Sequence, residues 1–338
     1  MRDEHNYSLL RHNTFGIDAR CRRFLEYSSV DEAQAVARIL RESNGSSMVV
    51  GAGSNLLLTG DYDGTMVHSA IRGISLMERP GDRAILRCGS GETWDDVVAW
   101  TISLGFIDLA NLSLIPGDVG ASAVQNIGAY GAEAGQFISE VQAVEIASGQ
   151  RISIPAEACC YGYRDSRFKH EWKGKYLITH VSYRLSRAYT PKLEYGNISA
   201  TLAQQGIESP TPQQLRQAII DIRRSKLPEP EELGNAGSFF MNPVVSRHQF
   251  EVLLALHPQM PHYSIDEDNE KIPAGWLIDQ CGWKGRSMGR AGVYEKQALV
   301  LVNRGGATGQ EVVALCQAIQ KDVKERFGIE LKPEVNIV

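Results

Sequence analysis

Two runs of small residues carry the chemistry this sequence advertises first. Gly51-Ala52-Gly53-Ser54-Asn55-Leu56 follows the apolar triplet Met48-Val49-Val50, so it reads as a loop fed by a short strand. Consecutive N–H groups in such a turn form an anion nest, and Ser54 and Asn55 add side-chain donors. The run is not a dinucleotide fingerprint. G-x-G-x-x-G needs a glycine where Leu56 stands, and a helix where Leu57-Leu58-Thr59-Gly60-Asp61-Tyr62-Asp63-Gly64 has turn formers. On this run alone a phosphate-binding loop and an ordinary hairpin turn both stay open. The second run, Ile115 to Gly131, has small residues at almost every other position and would make a poor core strand. Something should lie against its backbone. A planar cofactor with a pyrophosphate, clasped between the two runs, meets that demand. A long surface loop is the other reading, with less reason to carry Val119, Val124 and Ile127. Further on, Gly234 and Gly237 flank Ser238. That suits a tight backbone presenting a hydroxyl, although Asn-Ala-Gly-Ser is also ordinary turn chemistry. The run is not G-x-S-x-G, so a hydrolase nucleophile is not favoured. Arg164 and Glu334, taken singly, read as surface ion-pair residues.

The 338 residues, 43% hydrophobic and 22% charged, suit two or three globular domains and exclude disorder, collagen and coiled coil. With 35 Lys+Arg against 40 Asp+Glu the net charge is −5, so no whole-surface attraction to nucleic acid or anionic membrane is expected. An anionic ligand must therefore be held by a local cluster. The six cysteines include no C-x-x-C and the eight histidines no H-E-x-x-H, so no metal site is signalled and reduced thiols are expected. The N-terminus does not read as a secretory signal, and the longest apolar runs are strand-sized, so a cytoplasmic protein is expected.

Helices and strands must position these groups. The capping box Ser29-x-x-Glu32 opens a helix with Ala33, Val36, Ala37 and Leu40 on one face. A second helix is expected from Trp94, Val97, Val98 and Thr101, ending near Gly105. Leu177, Thr179, Val181, Tyr183 and Leu185 share one face and His180, Ser182 and Arg184 the other, which predicts a strand. Thr211 and Pro212 start a helix with Leu215, Ala218, Ile219 and Ile222 inward, and Leu227-Pro228-Glu229-Pro230 breaks it as a linker. Thr308-x-x-Glu311 caps a last helix with Val312, Leu315, Cys316, Ile319 and Val323 inward, ending at Gly328, and Lys332 to Val335 is extended. The mixture of helices and strands argues α+β or mixed α/β.

Taken together and in order, these motifs resemble the UDP-N-acetylenolpyruvoylglucosamine reductase family. The pair of glycine runs looks like its flavin-binding half. Asn13-Thr14-Phe15-Gly16, Tyr161-Gly162-Tyr163-Arg164-Asp165-Ser166, Gly234-Asn235-Ala236-Gly237-Ser238-Phe239-Phe240, Ala274-Gly275-Trp276-Leu277-Ile278-Asp279 and Pro333-Glu334-Val335 follow along nearly the whole chain. The resemblance, to the type I form, implies an α+β fold. Two FAD-binding subdomains of the vanillyl-alcohol-oxidase-like type (1–72 and 73–225) precede a substrate-binding domain (226–328) and a C-terminal strand (329–338).

It also implies that NADPH reduces FAD, and that the hydride then passes to the vinyl carbon of a UDP-sugar enolpyruvyl ether. Such a site must stabilise developing negative charge and deliver one proton. The family's proton donor falls on Ser238, and its other two active-site positions on Arg164 and Glu334. FAD contacts fall on Gly51, Ala52, Gly53, Ser54, Asn55, Leu56, Pro116, Gly117, Gly120, Ala121, Ser122, Gln125, Asn126, Gly128, Ala129, Tyr130 and Arg223. Substrate contacts fall on Lys226, Asn242, Tyr263 and Gln297, with Tyr195 in Glu194-Tyr195-Gly196 matching a tyrosine on a mobile loop. The expected partners are the sugar nucleotide and NADPH, without nucleic acid or membrane, and the expected state is a monomer. Two departures stand out. Met241 occupies a position where a lysine is expected, leaving Arg247 as a candidate to supply the charge, and Asn336 follows the valine where some relatives carry arginine. Two other readings are another flavin oxidase or dehydrogenase of the same fold and a non-catalytic nucleotide-sugar binder. Gly-Ser-Phe-Phe with the terminal Pro-Glu argues against the first, and retention of Arg164, Ser238 and Glu334 against the second.

Overall fold

The helices begin where their caps stand. Ser29 Oγ accepts from the Glu32 N–H, and α1 (Val30–Glu42) follows with Ala33, Val36, Ala37 and Leu40 all buried. The Glu32 carboxylate turns instead to the Ser28 N–H and hydroxyl, so only one half of the expected capping box forms. The computed structural model describes every residue except Asn44, Tyr189, Pro191 and Gly196. The described residues divide into two compact units: Met1–Tyr7, Cys21–Ala52 and Asp63–Arg223 form the first, and Ser8–Arg20, Gly53–Tyr62 and Arg224–Val338 the second.

In the first unit β1 (Arg2–Ser8), β2 (Arg20–Tyr27), β3 (Ser47–Val50) and β4 (Tyr62–Ser69) make a sheet in the order β1-β2-β4-β3. Strands β3 and β4 run parallel, with Val50 opposite His68. A second sheet is antiparallel at each pairing and has the order β8-β7-β9-β6-β5, from β5 (Ile74–Arg79), β6 (Arg83–Gly89), β7 (Ile138–Glu145), β8 (Arg151–Pro155) and β9 (Tyr176–Ser186). Helix α1 packs against Val67 of the first sheet and Val144 and Leu177 of the second. Helices α2 (Trp94–Ser103), α3 (Val119–Gln125), α4 (Ile198–Gln204) and α5 (Pro212–Lys226) share a core with the second sheet. At its centre Trp94 meets Tyr183 edge-on, and the Tyr183 hydroxyl bonds to Ser122 Oγ at 2.7 Å.

Two features here go beyond the sequence reading. The strand expected over Leu177 to Leu185 forms as β9 with both faces covered: every residue from Leu177 to Tyr183 is buried, and of His180, Ser182 and Arg184 only Arg184 is exposed. β9 is a central strand, flanked by β7 and β6, and the polar residue Thr179 is satisfied by donating to Gln142 O. The run from Ile115 to Gly131 is not all loop either, because it contains α3. Its small residues let the helix approach closely, and a methyl at Gly120 would stand 3.0 Å from Ser90 Cβ.

The second unit carries a four-stranded sheet in the order β10-β16-β15-β14, built from β10 (Asn235–Ser238), β14 (Ser287–Met288), β15 (Ala291–Val293) and β16 (Val300–Asn303). A three-stranded sheet has the order β11-β13-β12, from β11 (Val244–Ser246), β12 (Tyr263–Ser264) and β13 (Asn269–Lys271). Helices α6 (Arg247–Leu256), α7 (Ala274–Gln280) and α8 (Gly309–Phe327) complete it. The full capping box forms at Thr308 and Glu311, and Gly328 closes α8 at φ 66°. The two-residue strands Leu56–Leu57 and Asn336–Ile337 pair in parallel. Among the described residues no helix is long and apolar enough to cross a membrane.

Candidate active site

In the second unit the surroundings of Ser238 are built from three distant segments. A methyl at Gly234 would fall 2.3 Å from Phe15 O, so only glycine lets these backbones meet. Asn235 N–H donates to Thr14 O, Thr14 Oγ1 donates back to Asn235 O, and Asn303 N–H donates to Gly234 O. Asn13 braces the Thr14 turn by donating to Leu9 O and Ile17 O while accepting from the Ile17 N–H. This is the physical role of Asn13-Thr14-Phe15-Gly16. The pairing of β10 with β16 is shifted between Asn235 and Ser238, a bulge of the kind that re-aims a side chain. Gly237 sits in it at φ 67°, with open space where a side chain would be. Ser238 follows, half-buried, anchored by the fully buried Phe239 and Phe240.

The C-terminal segment runs alongside. Phe240 bridges Pro333, Met241 N–H donates to Lys332 O at 2.9 Å, and Glu334 N–H donates to Phe239 O at 2.8 Å. Asn55 Nδ2 donates to Glu334 O at 3.2 Å, which brings the first glycine run to the same place. Ser238, Glu334 and Asn55 are thus gathered within one unit. Asn242 and Gln297 meet at the start of α7, where Asn242 Oδ1 accepts from Ala274 N–H and Gln297 Oε1 lies 3.1 Å from where a Gly275 methyl would be. Lys226 ends α5, and Tyr263 is exposed on β12. Arg247 is committed elsewhere. It pairs with the fully buried Glu270 at 3.1 Å and donates to Glu267 O and Asp266 O, so its fork is engaged by the three-stranded sheet rather than standing in for the lysine absent at Met241. The Ser264 hydroxyl and the His262 ring hold the Glu270 carboxyl below its usual range.

In the first unit Arg164 stands at the tip of a turn closed by reciprocal bonds between Gly162 and Asp165. Its own φ is 54°, a conformation that a non-glycine residue holds only when its surroundings impose it. Those surroundings are explicit. Asn126 Nδ2 donates to Gly162 O, Ser166 Oγ donates to Val124 O, Asp165 bonds to His170 at 2.7 Å, and Lys169 Nζ donates to Arg164 O. Arg164 Nη2 donates to Gly128 O at 2.6 Å, which ties it to the second glycine run. Farther along that run Tyr195 covers Gly131, where a methyl would stand 2.4 Å from its ring. Lys192 Nζ donates to Gly131 O, and Asn111 Nδ2 donates to both Tyr130 O and Lys192 O. Burial raises the Tyr130 phenol pKa, and the charge of Arg223 works against that rise. Gly196, next to Tyr195, lies outside the described residues.

The two runs fit a flavin dinucleotide through their backbone more than their side chains. Ser122 is buried with its hydroxyl given to Val119 O and Tyr183, and the Asn126 amide is spent on Glu133, Gly162 and Gly135. Gly51, Ala52, Ser54, Asn55, Gly117, Gly120, Ala121, Gln125, Gly128, Ala129 and Tyr130 are half-buried, Pro116 is exposed, and Gly53 and Leu56 are buried. Small, half-buried residues along each run keep side chains from covering the backbone, which suits a planar ring system with a diphosphate, although the Gly120 N–H is already given to Ser90 O. Gly53, one of the expected cofactor contacts, also meets a packing demand. At φ 72°, with His12 O only 1.9 Å from where a methyl would stand, it serves close packing within the protein. Sequence reading missed one constellation altogether, Glu26, His68 and Asp118. These residues lie far apart in the chain and match no motif, so no local signal could have found them.

Residues 229–338 match the family described as UDP-N-acetylenolpyruvoylglucosamine reductase, C-terminal domain, and residues 22–154 match the FAD binding domain family. The UDP-N-acetylenolpyruvoylglucosamine reductase of Bacteroides fragilis (strain YCH46) is 49% identical over 335 residues, 99% of this chain and 100% of its own length. That of Paraburkholderia xenovorans (strain LB400) is 46% identical over 330 residues, 97% of this chain and 95% of its own. Among solved structures, UDP-N-acetylenolpyruvylglucosamine reductase from Thermus caldophilus shares the fold with a TM-score of 0.68 at 20% identity, covering 100% of this chain and 99% of that one.

Proposed function

The chain belongs to the UDP-N-acetylenolpyruvoylglucosamine reductase family, and from that membership we propose that it reduces UDP-N-acetylglucosamine enolpyruvate to UDP-N-acetylmuramate. NADPH is the reductant and FAD the cofactor, in peptidoglycan precursor synthesis. The observation that carries this reading is 49% identity over 99% of the chain. The match of residues 229–338 to the reductase's own C-terminal domain disfavours a different oxidase or dehydrogenase, since that part lies outside the flavin-binding match.

The cofactor's contribution when bound is hydride relay from NADPH to the terminal vinyl carbon. The chain's residues supply position, charge and one proton. Hydride at the vinyl carbon leaves negative charge on the carbon that bears the carboxylate. Ser238 delivers the proton to that carbon, and its half-buried place on a bulge after Gly237 supports this role. Arg164 binds the substrate carboxylate and holds charge as it develops, a task suited to a guanidinium fixed by a constrained turn. Glu334 orients that charge or shares in proton delivery, and its hydrogen-bonded place beside Phe239 supports it. Lys226, Asn242, Tyr263, Gln297 and Tyr195 take the UDP end. The enzyme acts as a cytoplasmic monomer.

An anaerobic titration tests this reading. The yellow enzyme is bleached with NADPH, and the UDP-enolpyruvyl sugar is then added while the flavin spectrum is followed. Stoichiometric reoxidation is expected, and a flavin that stays reduced would defeat the assignment.

A further inference from the structure

His68 occupies a place that the flavin-binding motifs do not account for. It lies on β4 opposite Val50, the residue before Gly51. Its ring stands between two carboxylates, with Nδ1 at 3.0 Å from Glu26 Oε2 and Nε2 at 3.6 Å from Asp118 Oδ2. All three side chains are largely removed from solvent. Asp118 belongs to the second glycine run and reaches the first: its Oδ2 is 3.1 Å from where a Gly51 methyl would stand. Although Asp118 is at the cap position of α3, its side chain makes no capping bond to that helix. A carboxylate is therefore held where the two runs meet, the place at which the flavin reading puts a diphosphate. Two anions there repel one another unless a cation intervenes.

We infer that His68 is a cofactor-affinity residue: in its protonated form it neutralises Asp118 at the junction of the two glycine runs and so admits the diphosphate of the bound dinucleotide. This rests on the assignment of FAD to those runs. With His68 charged, the group Glu26–His68–Asp118 carries one net negative charge, and with His68 neutral it carries two. Arg2 lies over the Tyr7 and Phe24 rings and feels the charge of Glu26, Phe24 stacks on His68, and Glu92 is spent on the Gly73 N–H and Arg72. Strand β3 contributes no titratable side chain. Burial works to lower the imidazole pKa, but the ion pairs with Asp118 and Glu26 outweigh it, and the net shift is upward. The protonated form is thus favoured at and below the ordinary imidazole pKa, and is lost as pH rises through the elevated one. FAD affinity should fall over that same interval, because the diphosphate's own charge does not change there.

The test uses the full-length chain stripped of flavin and titrated with FAD by fluorescence quenching. It is run at constant ionic strength at pH values from about 6 to about 9, spanning the imidazole range. For the unaltered protein the Kd should rise roughly three- to tenfold across this range, the size expected when one partly buried charge is lost beside a diphosphate. His68→Gln should bind FAD weakly at the acid end and show a flat profile. Asp118→Asn leaves the His68–Glu26 pair to titrate, so its slope should be shallower and not abolished, and it should bind at the alkaline end at least as tightly as the unaltered protein. Thermal melts of each flavin-free variant monitor folding, and Asp118→Asn, being nearly isosteric, keeps the test decisive if His68→Gln does not fold. An unaltered protein that binds FAD with the same affinity at every pH overturns the inference, as does a slope that survives His68→Gln or one that is undiminished in Asp118→Asn. Failure of the folded, unaltered protein to bind FAD at any pH overturns the flavin assignment itself and this inference with it.

Discussion

A serine hydroxyl is a poor acid in water, so Ser238 can serve as proton donor only if it is aimed at a strongly basic carbon. The aim comes from its neighbours. Gly237 takes a left-handed conformation, the strand pairing slips by a bulge, and Phe239 and Phe240 fix the chain beyond. Ser238→Ala removes the proton and leaves this frame intact. Rapid mixing should show NADPH bleaching of the flavin at the unaltered rate, while reoxidation by the enolpyruvyl sugar slows by about 10² to 10⁴. Equal slowing of both half-reactions would remove Ser238 from the proton-transfer role. At this scale the sequence was informative where a family motif covered the residue. Arg164, Ser238 and Glu334 were named from motif order alone. Their side-chain environments were not visible in it, nor was the commitment of Arg247 to Glu270, because a hydrogen-bond partner is set by folding and not by spacing.

Among the elements, the helices were readable because their signals are local. Ser29, Thr308 and Gly328 act on groups three or four residues away, and the apolar stripes of α1, α5 and α8 are buried as their periodicity requires. What the pattern did not show was the burial of both faces of β9, and the helix α3 within a run whose small residues suit a loop. Gly53 in the first glycine run also packs against His12, a contact that no local pattern announced. Gly53→Ala combines an unfavourable positive φ with a backbone clash, and should cost more than about 2 kcal/mol. Denaturant unfolding of the full-length protein would measure it. A loss within a few tenths of a kcal/mol would mean that the loop relaxes freely around the added methyl.

For the whole molecule, the decisive point is that the second unit is discontinuous. Residues 229–338 match a family domain, yet the unit they belong to also contains Ser8–Arg20 and Gly53–Tyr62. These two segments supply Thr14 and Phe15 against Gly234 and Asn235, and Leu56–Leu57 as the partner of Asn336–Ile337. Thr59 also donates to Val338 O through both its N–H and its hydroxyl, and Leu58 O abuts Gly309. A fragment of residues 224–338 expressed alone therefore leaves a strand unpaired and backbone groups unmet. It should show no cooperative thermal transition by circular dichroism, whereas a sharp melt from the fragment would mean that the C-terminal sheets carry their own stability.

The sequence by itself determined the helices α1, α2, α5 and α8 and, through ordered motifs, the family. Each of these is written in neighbouring residues or in a pattern that survives without coordinates. Only the tertiary structure decided which residue stands across from which. It set His68 between Glu26 and Asp118, His12 against Gly53, and the C-terminal residues beside Leu56 and Leu57. Such pairings depend on strand register and chain crossing, where segments distant in sequence are brought within a few ångströms by burial and hydrogen bonding that no local pattern encodes.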